Sequence, residues 1–331
     1  MARLIDSNGK LHYGIIDSPV EDINYIDFPL ETPMGSPVSA LMKKLIFNQF
    51  AFFGFTGPDF IAGMAVVDLK YLANAFFYVY DRKRNAIRET SKITVPIGNG
   101  VFIKTTPENI SCQFASKKVS ISIDRGKLSA KTKDMEVDLT FDASSTRPLR
   151  ICSKAGYRGW VYTQKTTPIQ LIGELTIDGK KTPIASPQYM GLMDWTAGYM
   201  RRETFWNWAA SASTLSDGRT FGMNLSCGVN ETSFTENGFW IDGKMTKVST
   251  VAFEFNPENF YDPWRITSAD GKVDLIFTSE NHRAEKVNAK IIATRFTQMI
   301  GTFKGTLKTD DNKVIQIEGC PGWAEDHYAK W

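Results

Sequence analysis

The densest chemistry of the chain lies in residues 189–211, where Asp194, Arg201 and Arg202 sit among Trp195, Trp206 and Trp208, three of the eight tryptophans. A carboxyl group held against aromatic rings is pushed toward its neutral form, which lets it donate a proton near neutral pH. A nearby arginine works the other way, and it can also clamp a carboxylate or phosphate head group while aromatic strands line a pocket for the tail. Asp194 is therefore the candidate catalytic residue. Trp195, Arg201, Arg202, Trp206, Asn207 and Trp208 are candidate ligand-binding residues. If residues 204–211 form a strand, Trp206 and Trp208 share one face, and Phe205 and Asn207 share the other. The competing reading is structural: the tryptophans are core, and Asp194 pairs with Arg201 or Arg202 to tie down a loop.

Two further places carry ionisable groups with useful spacing. Glu236 and Asn237 precede Gly238-Phe239-Trp240 and could point polar groups into a cavity, although Asn-Gly is also an ordinary turn pair. Glu325 and His327 share a face if the C-terminus is extended, which would make an acid/base couple; a solvated terminal tail is the expected alternative. Standard catalytic motifs are missing: the sequence contains no phosphate-binding Gly-rich loop, no dinucleotide fingerprint, no nucleophile elbow and no His-Glu-x-x-His. Cys112, Cys152, Cys227 and Cys320 are too far apart for a zinc knuckle and read as buried thiols. His12, His282 and His327 come from opposite ends of the chain, so no metal and no cofactor is expected.

These groups must be positioned by something, and composition sets the scale. With 331 residues, 42% hydrophobic and 23% charged, the chain is long enough for two domains of about 150 residues each. Thirty-nine basic against thirty-six acidic side chains leave a net charge of +3, which argues against nucleic acid as a partner. Arg82-Lys83-Arg84 reads as a charged hairpin tip. No stretch of about 20 residues is apolar enough for a transmembrane segment and no signal-peptide pattern opens the sequence, so the expected setting is cytoplasmic. The expected partner is a hydrophobic small molecule or lipid, and no signal of an oligomeric state is found.

The local pattern is that of an all-β protein. Apolar and polar residues alternate strictly in residues 119–123 and 135–141, and again in 314–318 and 272–277, which half-buries each strand. Asp178-Gly179, Asp217-Gly218, Asp242-Gly243 and Asp270-Gly271 lie between such runs and suit tight hairpin turns. Residues 46–80 are rich in aromatics but broken by Gly, Pro and Asp, as expected of two or three buried strands. One short helix is expected at residues 36–45, with Ser36 as cap and Pro37 in the first turn. Thr-Pro pairs at 167–168 and 182–183 bracket a strand and suggest domains of 1–168 and 169–331, each an antiparallel barrel.

The ordered motifs Tyr162-Thr163-Gln164-Lys165, Asp194-Trp195 with Gly198, Thr204-Phe205-Trp206-Asn207-Trp208-Ala209, Thr235-Glu236-Asn237-Gly238, Asp262-Pro263-Trp264 and Glu325-Asp326-His327-Tyr328-Ala329-Lys330-Trp331 resemble the family described only as domain of unknown function 2804. More distantly, Gly191-Leu192-Met193-Asp194-Trp195-Thr196-Ala197-Gly198 is similar to the central motif of the hydroxyneurosporene synthase group, which runs roughly Ala-Tyr-His-Asp-His-Asn-Trp-Gly. That likeness implies two lipocalin-like barrels in tandem. It also implies chemistry that adds water across a double bond of a long apolar polyene. Asp194 and Gly198 match, whereas Leu192, Met193 and Trp195 replace the Tyr and both His, so the likeness bears on architecture more than reaction. Two functions are open. One is binding of a hydrophobic small molecule or lipid in a barrel or interdomain pocket. The other is a cofactor-independent hydratase or isomerase with Asp194 as acid/base, and it gains if His327 or Glu236 comes to face Asp194.

Overall fold

The computed structural model describes residues 2–95, 101–104, 106–229, 234–289 and 292–330. Strands dominate them. One α-helix, Ala40–Leu45, starts at Ser39, whose side chain accepts from the Met42 amide at 3.3 Å; Ser36 and Pro37 lie outside it. That Ser39 oxygen satisfies a first-turn amide, which moves the helix start three residues beyond the expected cap. No helix among the described residues is long and apolar enough to cross a membrane.

The strands make two curled antiparallel sheets, one of fourteen strands from residues 14–198 and one of nine from residues 203–330. The all-β, two-unit architecture with few short helices is thus the one the sequence pattern indicates. Asp178-Gly179 and Asp242-Gly243 have positive φ at both residues, the conformation that joins adjacent strands through a two-residue turn. The sheets divide at residues 199–202, about thirty residues beyond the boundary expected after Pro168. The reason is local. Pro168 lies inside one long strand, Gly159–Ile177, at a register shift between Thr166 and Ile169. A bulge leaves a residue unpaired, so the missing N–H of proline breaks no ladder bond there. Before the bulge this strand pairs with Leu149–Ala155 and Met190–Gly198, and after it with Met135–Asp142 and Lys180–Ala185.

The aromatic segment forms three strands, Asn48–Thr56, Phe60–Asp68 and Ala73–Asp81, paired in sequence. It is apolar almost throughout because both its faces are covered. Phe53, Phe55, Phe77 and Val79 fill the interior of the first unit, while Phe52, Tyr78 and Tyr80 face the second sheet. The second unit has its own core, which includes Phe221, Trp264, Phe277 and Phe303. A third apolar cluster, with Phe52, Leu192, Trp208 and Trp323, lies between the units.

In the second sheet the final strand, Val314–Lys330, pairs with both Glu203–Thr214 and Ala293–Lys308. The C-terminus is therefore a central strand and not a solvated tail. Two bulges decide what it presents. In Val273–Asn288 one extra residue, Glu280, sits between the pairs Ser279↔Gly301 and Asn281↔Ile300. In the last strand Gly319, with φ +64°, is the extra residue between Glu318↔Lys304 and Cys320↔Phe303. Odd-numbered residues such as Phe277 and Ile317 point into the second unit before each bulge. After it, odd-numbered Arg283, Glu325 and His327 face the first unit.

The units approach closely at Gly222, where an added Cβ would stand 2.5 Å from the backbone carbon of Thr167 and the nitrogen of Pro168. Gly222→Ala is expected to lower stability by about 1 to 3 kcal/mol, since the obstructing atoms are backbone. Chemical denaturation checks this; a variant as stable as the parent would mean that the two sheets slide apart freely.

Candidate functional site

A cavity of about 300 Å³ lies between the two units, lined from the first sheet by residues such as Phe50, Phe52 and Phe76 and from the second by Trp206, Trp208 and Phe296. Each unit has its own interior cluster of buried apolar side chains. Most of the cavity lining is apolar, and two clusters of ionisable side chains stand out in it.

The first cluster is built by neighbouring strands. Lys165 and Asp194 sit directly opposite each other in the register of Gly159–Ile177 with Met190–Gly198. Lys165 Nζ lies 2.5 Å from Asp194 Oδ1 and 3.4 Å from Oε2 of Glu236, which comes from the loop before Gly238–Ile241. All three residues are buried, with 4%, 8% and 8% of their surface exposed. Thr196 Oγ1 donates to Asp194 Oδ1 at 3.4 Å, and Ser226 Oγ donates to Glu236 Oε1 at 2.9 Å. Burial drives the Asp194 carboxyl above the ordinary aspartate range; Lys165 opposes the rise and Glu236 reinforces it. Burial also works against the charge on Lys165, but Asp194 and Glu236 together outweigh it and hold the ammonium above its usual value. The two directions agree if the trio keeps one extra proton. Ammonium, carboxylate and carboxylic acid then sum to zero charge inside an apolar wall.

The second cluster lies on the opposing sheet. Glu325 Oε1 is 3.0 Å from His327 Nδ1 and accepts from Trp206 Nε1 at 2.9 Å, while Oε2 accepts from Gln298 Nε2 at 2.8 Å. Gln298 Oε1 in turn accepts from the Tyr78 hydroxyl at 2.8 Å, a phenol that burial raises well above its usual range. Three donors thus hold the Glu325 carboxylate. It fixes the tautomer of His327 with the proton on Nδ1, leaving Nε2 beside the Thr294 hydroxyl at 2.9 Å. Trp206 and Phe296 cover the imidazole, with ring centroids 4.1 and 5.0 Å away. Arg283, which also lines the cavity, is stacked on Phe76, Tyr78 and Phe296 and paired with Glu89.

Of the residues singled out from the sequence, Asp194, Trp206, Trp208, Glu236 and His327 line this cavity. Others point elsewhere. Trp195 faces the first unit's interior and meets Tyr162 edge-on, because it alternates with Asp194 along the strand. Asn207 donates to Asp326 Oδ1 at 3.0 Å on the opposite face from Trp206 and Trp208. Asn237 is a structural tie, accepting from the Ser226 amide at 2.6 Å and donating to the Ser249 carbonyl at 2.9 Å. Arg201 and Arg202 lie beyond the end of the Asp194 strand and do not line the cavity; Lys165, not an arginine, pairs with Asp194. Lys165 is the ionisable group of the first cluster that residue spacing did not single out. A signal for Lys165 existed: a lone charge in an otherwise uncharged strand segment, Trp160-Val161-Tyr162-Thr163-Gln164-Lys165-Thr166-Thr167.

Solved structures of similar fold include an AttH-like protein from Nitrosomonas europaea (TM-score 0.52, 11% identity, covering 86% of this chain and 92% of that one). Kievitone hydratase from Nectria haematococca gives a TM-score of 0.54 at 11% identity, covering 86% and 88%. CghA with Sch210972 gives 0.52 at 10% identity, again covering 86% and 88%. The shared feature is the pair of lipocalin-like half-barrels. No curated protein matches the sequence. With its model matching all of residues 1–331, the chain belongs to the family described as domain of unknown function (DUF2804).

Proposed function

We propose that this protein binds an apolar small molecule between its two sheets and moves protons on it, as a hydratase or double-bond isomerase does, with Asp194 as acid and His327 as base. One observation carries the reading: a buried carboxyl whose proton is favoured and a carboxylate-held imidazole line the same largely apolar cavity from opposite walls. A simple binding site for a lipid tail has no use for either group, and burying both costs stability. Hydrating an alkene requires a proton delivered to one carbon and a water deprotonated at the next. Shifting a double bond requires one proton given and another taken. Either reaction uses groups that the chain itself supplies here. A protein of the same fold bears the name kievitone hydratase, which supports the fold's capacity for such chemistry by analogy.

The test does not require the substrate to be identified first. A panel of apolar alkenes and conjugated ketones is incubated with the protein in D2O, and mass spectrometry reads deuterium gained at carbon. At least one compound is expected to exchange faster than in buffer and to stabilise the fold by about 2.7 kcal/mol at a hundred times its Kd. A panel that stabilises the protein without exchanging would return the function to binding alone. A panel that does neither would remove the cavity from consideration.

A further inference from the structure

Protonating an isolated double bond builds positive charge on carbon, whereas removing a proton beside a carbonyl builds negative charge on oxygen. The residues at the two walls distinguish these cases. Lys165 is a fixed ammonium buried against the cavity, and a cation there opposes a carbocation and favours an oxyanion. Lys165 carries three N–H donors, of which Asp194 and Glu236 engage two. Thr196 and Ser226 each donate to a carboxyl oxygen, so the trio is a rigid group of donors once it holds its extra proton. On the far wall stands an imidazole, a base too weak to take a proton from an unactivated hydrocarbon. It can take one from a carbon acidified by a conjugated carbonyl.

Resting on the acid–base reading above, we propose that Lys165, Asp194 and Glu236 form an oxyanion-binding site, and that the substrates are apolar conjugated carbonyl compounds: enones and their deconjugated isomers. His327 Nε2 removes a proton from the carbon next to the carbonyl. The C–H electron pair becomes a C=C bond of the dienolate as the carbonyl π pair moves onto oxygen, facing Lys165 and the carboxylic acid. The carbonyl then reforms as His327 returns the proton to the carbon at the other end of the conjugated system. No co-reactant is consumed. A cavity of about 300 Å³ suits a compound of modest drug-like size, at the low end for ligand pockets.

Three probes that share a naphthalene ring test the inference. 2-Acetonaphthone presents a conjugated carbonyl, 2-isopropenylnaphthalene replaces that oxygen by CH2, and 2-naphthyltrimethylammonium presents a permanent cation. On the full-length protein, the ketone is expected to bind at least tenfold more tightly than the alkene, with its carbonyl stretch moved to lower wavenumber when bound. Lys165→Met should remove both effects. Tighter binding of the ammonium would overturn the inference in favour of carbocation stabilisation. Equal affinities with an unshifted carbonyl would also overturn it, while leaving the apolar-cavity reading standing. Failure of all three to bind would overturn both. The ranking and the carbonyl shift are read on the parent protein, so the test survives if Lys165→Met does not fold.

Discussion

Lys165→Met is expected to lower stability by roughly 3 to 5 kcal/mol at neutral pH, because removing one member of a buried ion group leaves the other charges without compensation. Asp194 and Glu236 would then face each other across an apolar wall with no cation between them. The loss should shrink in acid. Asp194 already holds its proton more tightly in the folded chain than the ordinary 3.8 of an aspartate. Such a group stabilises the fold fully below its unfolded value, and the contribution is lost as pH rises through the higher folded value. Without Lys165 to oppose the shift, the dependence should steepen. Denaturant unfolding at pH 4 and pH 7 measures it. Equal losses at the two pH values would show that the trio is not an electrostatic unit.

The second large effect is catalytic. His327→Ala should slow proton exchange into substrate by about 10² to 10⁴-fold, the usual worth of a positioned general base, with little change in ligand affinity. Glu325→Gln should produce a similar loss for a different reason. The carboxylate accepts from His327, Trp206 and Gln298 on its two oxygens. A carboxamide has one acceptor oxygen and would turn an NH2 toward a donor, releasing the tautomer that leaves Nε2 basic. Added imidazole separates the two: it should restore part of the exchange to His327→Ala, which has lost the base, and leave Glu325→Gln, which retains it, unchanged. Full activity in both variants would exclude the dyad from the chemistry.

Much of this site could be read in the sequence, and the part that could not has a physical pattern. Asp194 was legible as a carboxyl beside a cluster of tryptophans, and Trp206 and Trp208 because alternation along one strand places residues two apart on one face. The same rule brought Glu325 and His327 together. What alternation cannot say is which face looks at the cavity, since the bulge at Gly319 exchanges the faces six residues earlier. Arginines near Asp194 in the chain were less relevant than Lys165, 29 positions away but opposite it across the ladder. Strand pairing is long-range information. The displaced unit boundary has the same origin: Thr167-Pro168 looks like a break locally, while the pairing on either side continues the strand.

Asp194→Asn, read for two quantities at once, tests the acid–base assignment most directly. Its amide can still accept from Lys165, and Glu236 still balances the ammonium, so the melting temperature should fall only modestly. Deuterium exchange into the best compound of the D2O panel should drop by about 10²-fold or more, because a carboxamide can neither deliver a proton nor offer a developing oxyanion the strong O–H donor of a carboxylic acid. A variant that melts far earlier yet exchanges deuterium as fast as the parent while folded would make Asp194 a strut between strands, and would contradict the assignment of this cavity as an acid–base site.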